Sequence, residues 1–180
     1  MQRRVTAVVL AGGESTRFGH DKAFALWHGK PFLRLVGEAA LAVSDGVVVL
    51  VPAGSKNLDY ARLVPGATIL PDRARGQGPV EALRGAAAVL RTPFTLVVPC
   101  DAPGLPHGLA RRLVAVCEET LKPAVAVGPS GPIFTLFAIS TEMLLGRLAG
   151  ARRMEDLVQD AEPVKTDAQG LNVNDASDAP

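Results

Sequence analysis

Short runs of apolar, β-branched residues alternate along this chain with longer segments whose apolar positions recur every three or four residues. Arg4–Leu10, Val47–Val51, Ala67–Leu70 and Phe94–Val98 are the runs. An unbroken run such as Val47–Val51 predicts a strand covered on both faces, as in a parallel sheet. Between the first two runs, Phe32, Leu35, Val36, Ala39, Ala40 and Val43 fall on one helical face, and Pro31 suits the first helical position. Ser55 is placed to cap a short helix through Leu63. Pro79 opens a helix with Val80, Leu83, Ala87 and Leu90 on one side, and Leu109, Leu113, Val116 and Cys117 stripe another from about Pro106 to Thr120. After Lys122 the rhythm changes. Ala124–Val127 and Pro132–Ala138 read as strands divided by Gly128-Pro129-Ser130-Gly131, followed by helices at Thr141–Leu148 and Arg153–Gln159 and an extended Glu162–Thr166. The pattern predicts one α/β domain over residues 1–180: a mainly parallel, doubly wound, Rossmann-like sheet with helices on both faces.

In such a sheet ligands bind beyond the carboxyl ends of the strands. The first strand runs into Leu10-Ala11-Gly12-Gly13, followed by Ser15, Thr16, Arg17, Gly19 and Lys22. Glycines let backbone N–H groups approach a polyanion, while Arg17 and Lys22 supply fixed positive charge. A triphosphate cradle explains this set better than a flexible turn with solvated charges. It is neither of the two commonest phosphate loops, since it lacks both Gly-x-x-x-x-Gly-Lys-Ser/Thr and Gly-x-Gly-x-x-Gly.

The third strand leads into Asp72 and the fourth into Asp101. Asp101 could cap the next helix, or hold Mg²⁺ together with phosphate oxygens and water. The phosphate loop at a neighbouring strand end favours the metal. Asp72, with Arg73, Arg75, Gly76 and Gly78, could contact a nucleotide or a second anionic substrate, or simply occupy a surface loop. Asn172-Val173-Asn174-Asp175 could supply a second oxygen ligand, although a helix-capping role ranks ahead of it.

Composition narrows the classes. The 180 residues are 48% hydrophobic and 21% charged, ordinary for a water-soluble globular domain. A net charge of +1 gives no field to attract nucleic acid. Cys100 and Cys117 have no zinc-like spacing with His20, His28 or His107, which suits a reduced, cytoplasmic protein. Cys100 reads as a small core residue, and Ser130 and Ser140 lack a Gly-x-Ser-x-Gly setting. Arg3-Arg4 before Val5–Gly13 imitates a leader peptide, but the apolar part is brief and meets Glu14, Arg17, Asp21 and Lys22. No apolar run approaches the roughly 18 residues of a membrane span.

Leu10-Ala11-Gly12-Gly13-x-Ser15-x-Arg17-x-Gly19-x-Asp21-Lys22-Ala23 resembles the signature of nucleotidyltransferases related to molybdenum cofactor guanylyltransferase. The likeness continues through Gly29-Lys30-Pro31, Gly76-x-Gly78-Pro79, Pro99-Cys100-Asp101-x-Pro103 and Asn172-x-Asn174, nearly the whole chain in order. It implies a nucleotidyltransferase that joins GMP from GTP to molybdopterin carrying molybdenum, with release of pyrophosphate. Residues 1–121 would bind the nucleotide and residues 122–180 the acceptor. By the resemblance, Leu10, Ala11, Gly12 and Gly13 would hold guanine and ribose, and Ser15, Arg17 and Lys22 the phosphates. Asp72 and Gly78 would line the nucleotide pocket, Asp101 would bind Mg²⁺, and Asn172 or Asn174 would lie near the metal and the pterin phosphate. Other molybdenum-cofactor proteins would be its partners.

The second strand departs from the pattern. It ends Val49-Leu50-Val51-Pro52 where relatives commonly carry an asparagine. Glu81 stands where small residues are usual, and could read guanine or face solvent. The nearest rivals are CTP with molybdopterin, an NTP with a sugar phosphate, and a nucleotide-binding adaptor without catalysis.

Overall fold

A computed structural model describes residues 4–12, 21–72, 76–171 and 173. In chain order the first elements are β1 (Val5–Leu10), β2 (Leu26–Trp27), β3 (Lys30–Pro31), α1 (Phe32–Leu41), β4 (Gly46–Val51), α2 (Asn57–Leu63) and β5 (Thr68–Pro71). They are followed by α3 (Gly78–Ala86), β6 (Phe94–Pro99), α4 (His107–Thr120), β7 (Ala124–Gly128), β8 (Gly131–Ser140), α5 (Thr141–Leu148), α6 (Met154–Leu157) and β9 (Glu162–Lys165). The main sheet has the order β5-β4-β1-β6-β8-β7-β9, and only β8 runs against the others.

Successive residues of β1 serve opposite faces. Val5, Ala7 and Val9 join Phe32 and Val36 of α1 and Leu109 and Leu113 of α4, whereas Val8 joins Leu83, Leu144 and Leu157 of α3, α5 and α6. Two covered faces explain why the strand runs are unbroken rather than alternating.

The helices differ from expectation in detail. In α1 the buried face takes in Leu33 and leaves Leu35 half-buried. Val64, just past α2, sits against Gly37 one turn beyond Leu33, so α2 covers that flank. Pro31 is the residue before α1 rather than its first member. The segment predicted as helical from Arg153 to Gln159 contracts to Met154–Leu157, where Asp156 accepts the N–H groups of Arg152 and Arg153. Lys56, not Ser55, precedes α2.

The chain moves outward from β1 to β4 to β5, then returns to the other side of β1 as β6. The order therefore reverses between β1 and β6, and the crevice outside their carboxyl ends is where open α/β sheets bind ligands.

Candidate functional site

Parallel pairing brings the ends of β1 and β6 side by side. Leu10 stands opposite Pro99, and the Cys100 N–H donates to the Leu10 carbonyl at 3.0 Å. The Ala11 N–H donates to the Leu50 carbonyl at 2.8 Å, so the ladder continues one residue past β1 before Gly12. Asp101 thus emerges beside Ala11-Gly12. It is not the cap of α4, which begins at His107 with Pro106 before it.

Lys22 reaches the same place from a single turn of 3₁₀ helix, Lys22–Phe24. Its Nζ lies 3.4 Å from Asp101 Oδ2 and donates to the Val173 carbonyl at 3.2 Å. The Val173 N–H donates to the Asp101 backbone carbonyl at 2.8 Å, so one peptide strap from the far end of the chain ties down the Lys22 side chain and the Asp101 backbone together. The Lys22 and Asp101 side chains are 20% and 25% exposed. A separation of 3.4 Å is loose beside the roughly 2.7–2.9 Å of a close charge-assisted bond, and a carboxylate has about four acceptor positions. Asp101 can therefore take a further electropositive partner. Burial raises its pKa, and Lys22 offsets part of that rise.

Asp72 follows β5, its N–H bonded to the Val51 carbonyl at 2.8 Å. Its side chain crosses the end of β4 to reach Gly12, where a Cβ would stand 2.5 Å from Oδ2. Only glycine allows this approach. Oδ1 is buried with no hydrogen-bond partner among the described residues, and desolvation raises the carboxyl pKa. Such a group is more easily protonated folded than unfolded, so it costs stability once pH rises through its folded pKa. Asp72→Asn should therefore melt about 1–4 °C higher at pH 7, with the gain shrinking as pH falls toward about 4. Melting curves at the two pH values would show it, and a gain independent of pH would exclude the carboxylate charge as the cause.

Gly78 opens α3 at the surface. Glu81 is committed within the same helix, 2.6 Å from Arg84, which also donates to the carbonyls of Leu148 and Ala151. Cys100 is buried, and desolvation next to the Asp101 charge pushes its thiol up, so it stays protonated. Trp27 meets Phe32 edge-on, and its ring lies against Gly170, where a Cβ would come within 2.7 Å of Cζ2. Gly13, Ser15, Arg17, Asn172 and Asn174, with Arg73 and Arg75, lie outside the described residues.

Three features escaped the sequence reading. Asp21 accepts the Ala23 N–H at 2.9 Å and a hydrogen bond from the buried Tyr60 hydroxyl. The signal was available, since an aspartate before a short turn is a standard cap and Tyr60 is the chain's only tyrosine. The role of the Val173 backbone left no trace in side-chain chemistry. The third feature is a cleft of about 560 Å³, lined by Gly128–Thr135 and Ala168–Leu171. Because β8 is antiparallel to β6, its first residues extend past the carboxyl end of β6, so the cleft opens on the same edge as Asp101.

A mainly parallel sheet with its acidic, lysine and glycine positions gathered at the switch point is a ligand-binding α/β architecture. Residues 7–166 match the MobA-like NTP transferase domain, and the chain belongs to that family.

Among curated relatives, a probable molybdenum cofactor guanylyltransferase of Deinococcus radiodurans is 34% identical over 81% of this chain and 72% of its own length. The molybdenum cofactor guanylyltransferase of Mannheimia succiniciproducens is 32% identical over 97% of this chain and 96% of its own. A probable one from Nostoc is 32% identical over 69% of this chain, a match that spans 59% of that relative.

Solved structures share the fold at lower identity. A Mycobacterium tuberculosis protein in complex with manganese has a TM-score of 0.72 at 18% identity, covering 97% of this chain and 95% of that one. Molybdopterin-guanine dinucleotide biosynthesis protein A of Archaeoglobus fulgidus scores 0.67 at 18%, covering 96% and 94%. A 4-diphosphocytidyl-2C-methyl-D-erythritol synthase scores 0.70 at 16%, covering 96% and 92%. The architecture is therefore common to proteins named for different nucleotides.

Proposed function

We propose that this chain transfers GMP from GTP to the terminal phosphate of molybdenum-loaded molybdopterin, giving the guanine dinucleotide and pyrophosphate. The observation that carries the proposal is the meeting of Lys22 and Asp101 at the switch point, in a chain of this family.

A phosphate oxygen of the acceptor attacks the α-phosphorus. One P–O bond forms, the bond to the α,β-bridging oxygen breaks, and its electron pair leaves with pyrophosphate. The acceptor brings its own nucleophile, so no protein nucleophile is needed and the protonated Cys100 has no part in the reaction. The protein's task is to align two polyanions and offset their charge.

Lys22 would bind the triphosphate, a role proposed for Arg17 and Ser15 as well. Asp101 would hold a divalent cation, for which we propose Mg²⁺, and its loose contact with Lys22 suits that role. Among the described residues there is no cluster of three acidic, histidine or cysteine side chains. Mg²⁺ needs none, because it commonly binds through one or two carboxylates plus substrate phosphates and water. When bound it would neutralise charge on the phosphates.

The backbone of Leu10–Gly13 faces the nucleoside. Asp72, which reaches Gly12 at the end of β1, lines the nucleotide pocket and would supply the base preference, since a carboxylate suits the adjacent N1–H and N2 amino donors of guanine. Cytosine offers an amino donor beside an acceptor, a poorer match to a carboxylate. Gly78 lines the same side. Residues 1–121 form this nucleotide part. Residues 122–180, including the cleft on the same sheet edge as Asp101, receive the acceptor, and the position of Val173 supports an acceptor-side or metal role for its neighbours Asn172 and Asn174. The enzyme would act in the cytoplasm, in contact with other molybdenum-cofactor proteins. Among the described residues no helix is long and apolar enough to cross a membrane.

Pyrophosphate release measured with each NTP, molybdopterin and Mg²⁺ tests the assignment. GTP should be preferred at least tenfold, the worth of about 1.4 kcal/mol of differential recognition. CTP outpacing GTP would overturn it.

A further inference from the structure

We infer that Tyr60 is a positioning residue for Lys22, clamping both ends of the turn that carries it. The inference rests on the proposed triphosphate role of Lys22 and adds the machinery that fixes the lysine in place.

Lys22 begins a three-residue turn that follows Asp21 and ends at Phe24. Asp21 closes it from one end, because one carboxylate oxygen accepts the Ala23 N–H at 2.9 Å. The other oxygen accepts a hydrogen bond from the Tyr60 hydroxyl. At the far end the Phe24 ring meets the Tyr60 ring edge-on, with centroids 5.1 Å apart and planes at 66°. One side chain from α2 therefore touches the residue before Lys22 through its hydroxyl and the residue two after it through its ring.

Tyr60 is a firm anchor, being only 3% exposed. Its oxygen also lies 3.2 Å from Ser55 Oγ, and with its proton given to Asp21 it accepts from that hydroxyl. Burial first, and Asp21 next, hold the phenol above its ordinary pKa, so it remains a donor at working pH. Behind it, Val64 seats the end of α2 on Gly37 of α1. The line of support runs from α1 through α2 and Tyr60 to Asp21 and Phe24, and so to the backbone of Lys22. A lysine side chain is long and flexible, and fixing its backbone limits the positions its ammonium can reach.

Tyr60→Phe keeps the ring contact and removes only the hydroxyl. It should lower kcat/KM for GTP about tenfold, the size expected for losing one hydrogen bond to a carboxylate. KM for the acceptor should be unchanged. In a Lys22→Ala background the same substitution should cause no further loss, because the residue it positions is gone. Asp21→Ala should resemble Tyr60→Phe. Asp21→Asn should recover activity to within about twofold, since its amide can accept from Ala23 and donate to the Tyr60 oxygen; if Tyr60→Phe does not fold, this pair carries the test. An equal tenfold loss in the Lys22→Ala background, wild-type kinetics for Tyr60→Phe, or an Asp21→Asn variant as poor as Asp21→Ala would each overturn the inference. GTP use unaffected by Lys22→Ala would instead overturn the triphosphate role of Lys22, and the positioning role with it.

Discussion

Asp101→Asn should reduce pyrophosphate release from GTP and molybdopterin by on the order of 10³-fold, about 4 kcal/mol of transition-state stabilisation. The substitution keeps the shape of the side chain and removes its charge. Its backbone carbonyl still accepts from Val173, so the strap across the site is retained. Folding should suffer little. Burial already works against the carboxylate, and relief of that penalty opposes the loss of the Lys22 pair, so the melting temperature at neutral pH should move by only a few degrees. A variant that keeps its turnover would remove Asp101 from the chemistry. One that supports cofactor maturation while releasing no pyrophosphate would turn the protein into an adaptor.

Asp101 was singled out by its position after the fourth apolar run, and the sheet puts it at the switch-point edge. The parallel strands β1, β4 and β6 are buried and β5 lies at the sheet edge, and each ends where the ladder stops, so the glycine and acidic residues that follow stand out against the apolar runs. Leu10–Gly12, Asp72 and Asp101 were legible for that reason, as were the strands themselves, whose unbroken apolar runs report two covered faces. The structure also removes the capping alternative at Asp101, since α4 starts six residues later and needs no cap from it. Glu81 also found a bland answer in Arg84, one turn along its own helix.

What stayed illegible depends on tertiary contact. Whether Leu33 or Leu35 is buried in α1 follows from where α2 lies, which no local period encodes. The link between Asp21 and Tyr60 joins residues 39 apart. Val173 acts through its N–H and carbonyl, groups that every non-proline residue possesses, so its side chain carries no hint. The approach of Asp72 to Gly12 shows the limit well. The sequence offers a glycine and an acid some 60 residues apart, and only the β5-β4-β1 order turns them into a contact.

Lys22→Ala should lower kcat/KM for GTP by on the order of 10²–10³-fold, the range seen when a donor to developing negative charge is lost from a preorganised site. Stability should fall far less. Ala23 stays in the core, and the Val173 N–H still ties the strap to Asp101. The melting temperature should drop by no more than about 4 °C, roughly 1–2 kcal/mol for a chain of this size. Lys22→Met separates the two contributions. It restores the apolar stem, and with it most of the stability, but supplies no charge, so GTP use should remain as poor as in Lys22→Ala. Activity that returns with the stem would make Lys22 a packing residue of the switch-point crevice. Activity that stays lost would place its ammonium on the phosphates.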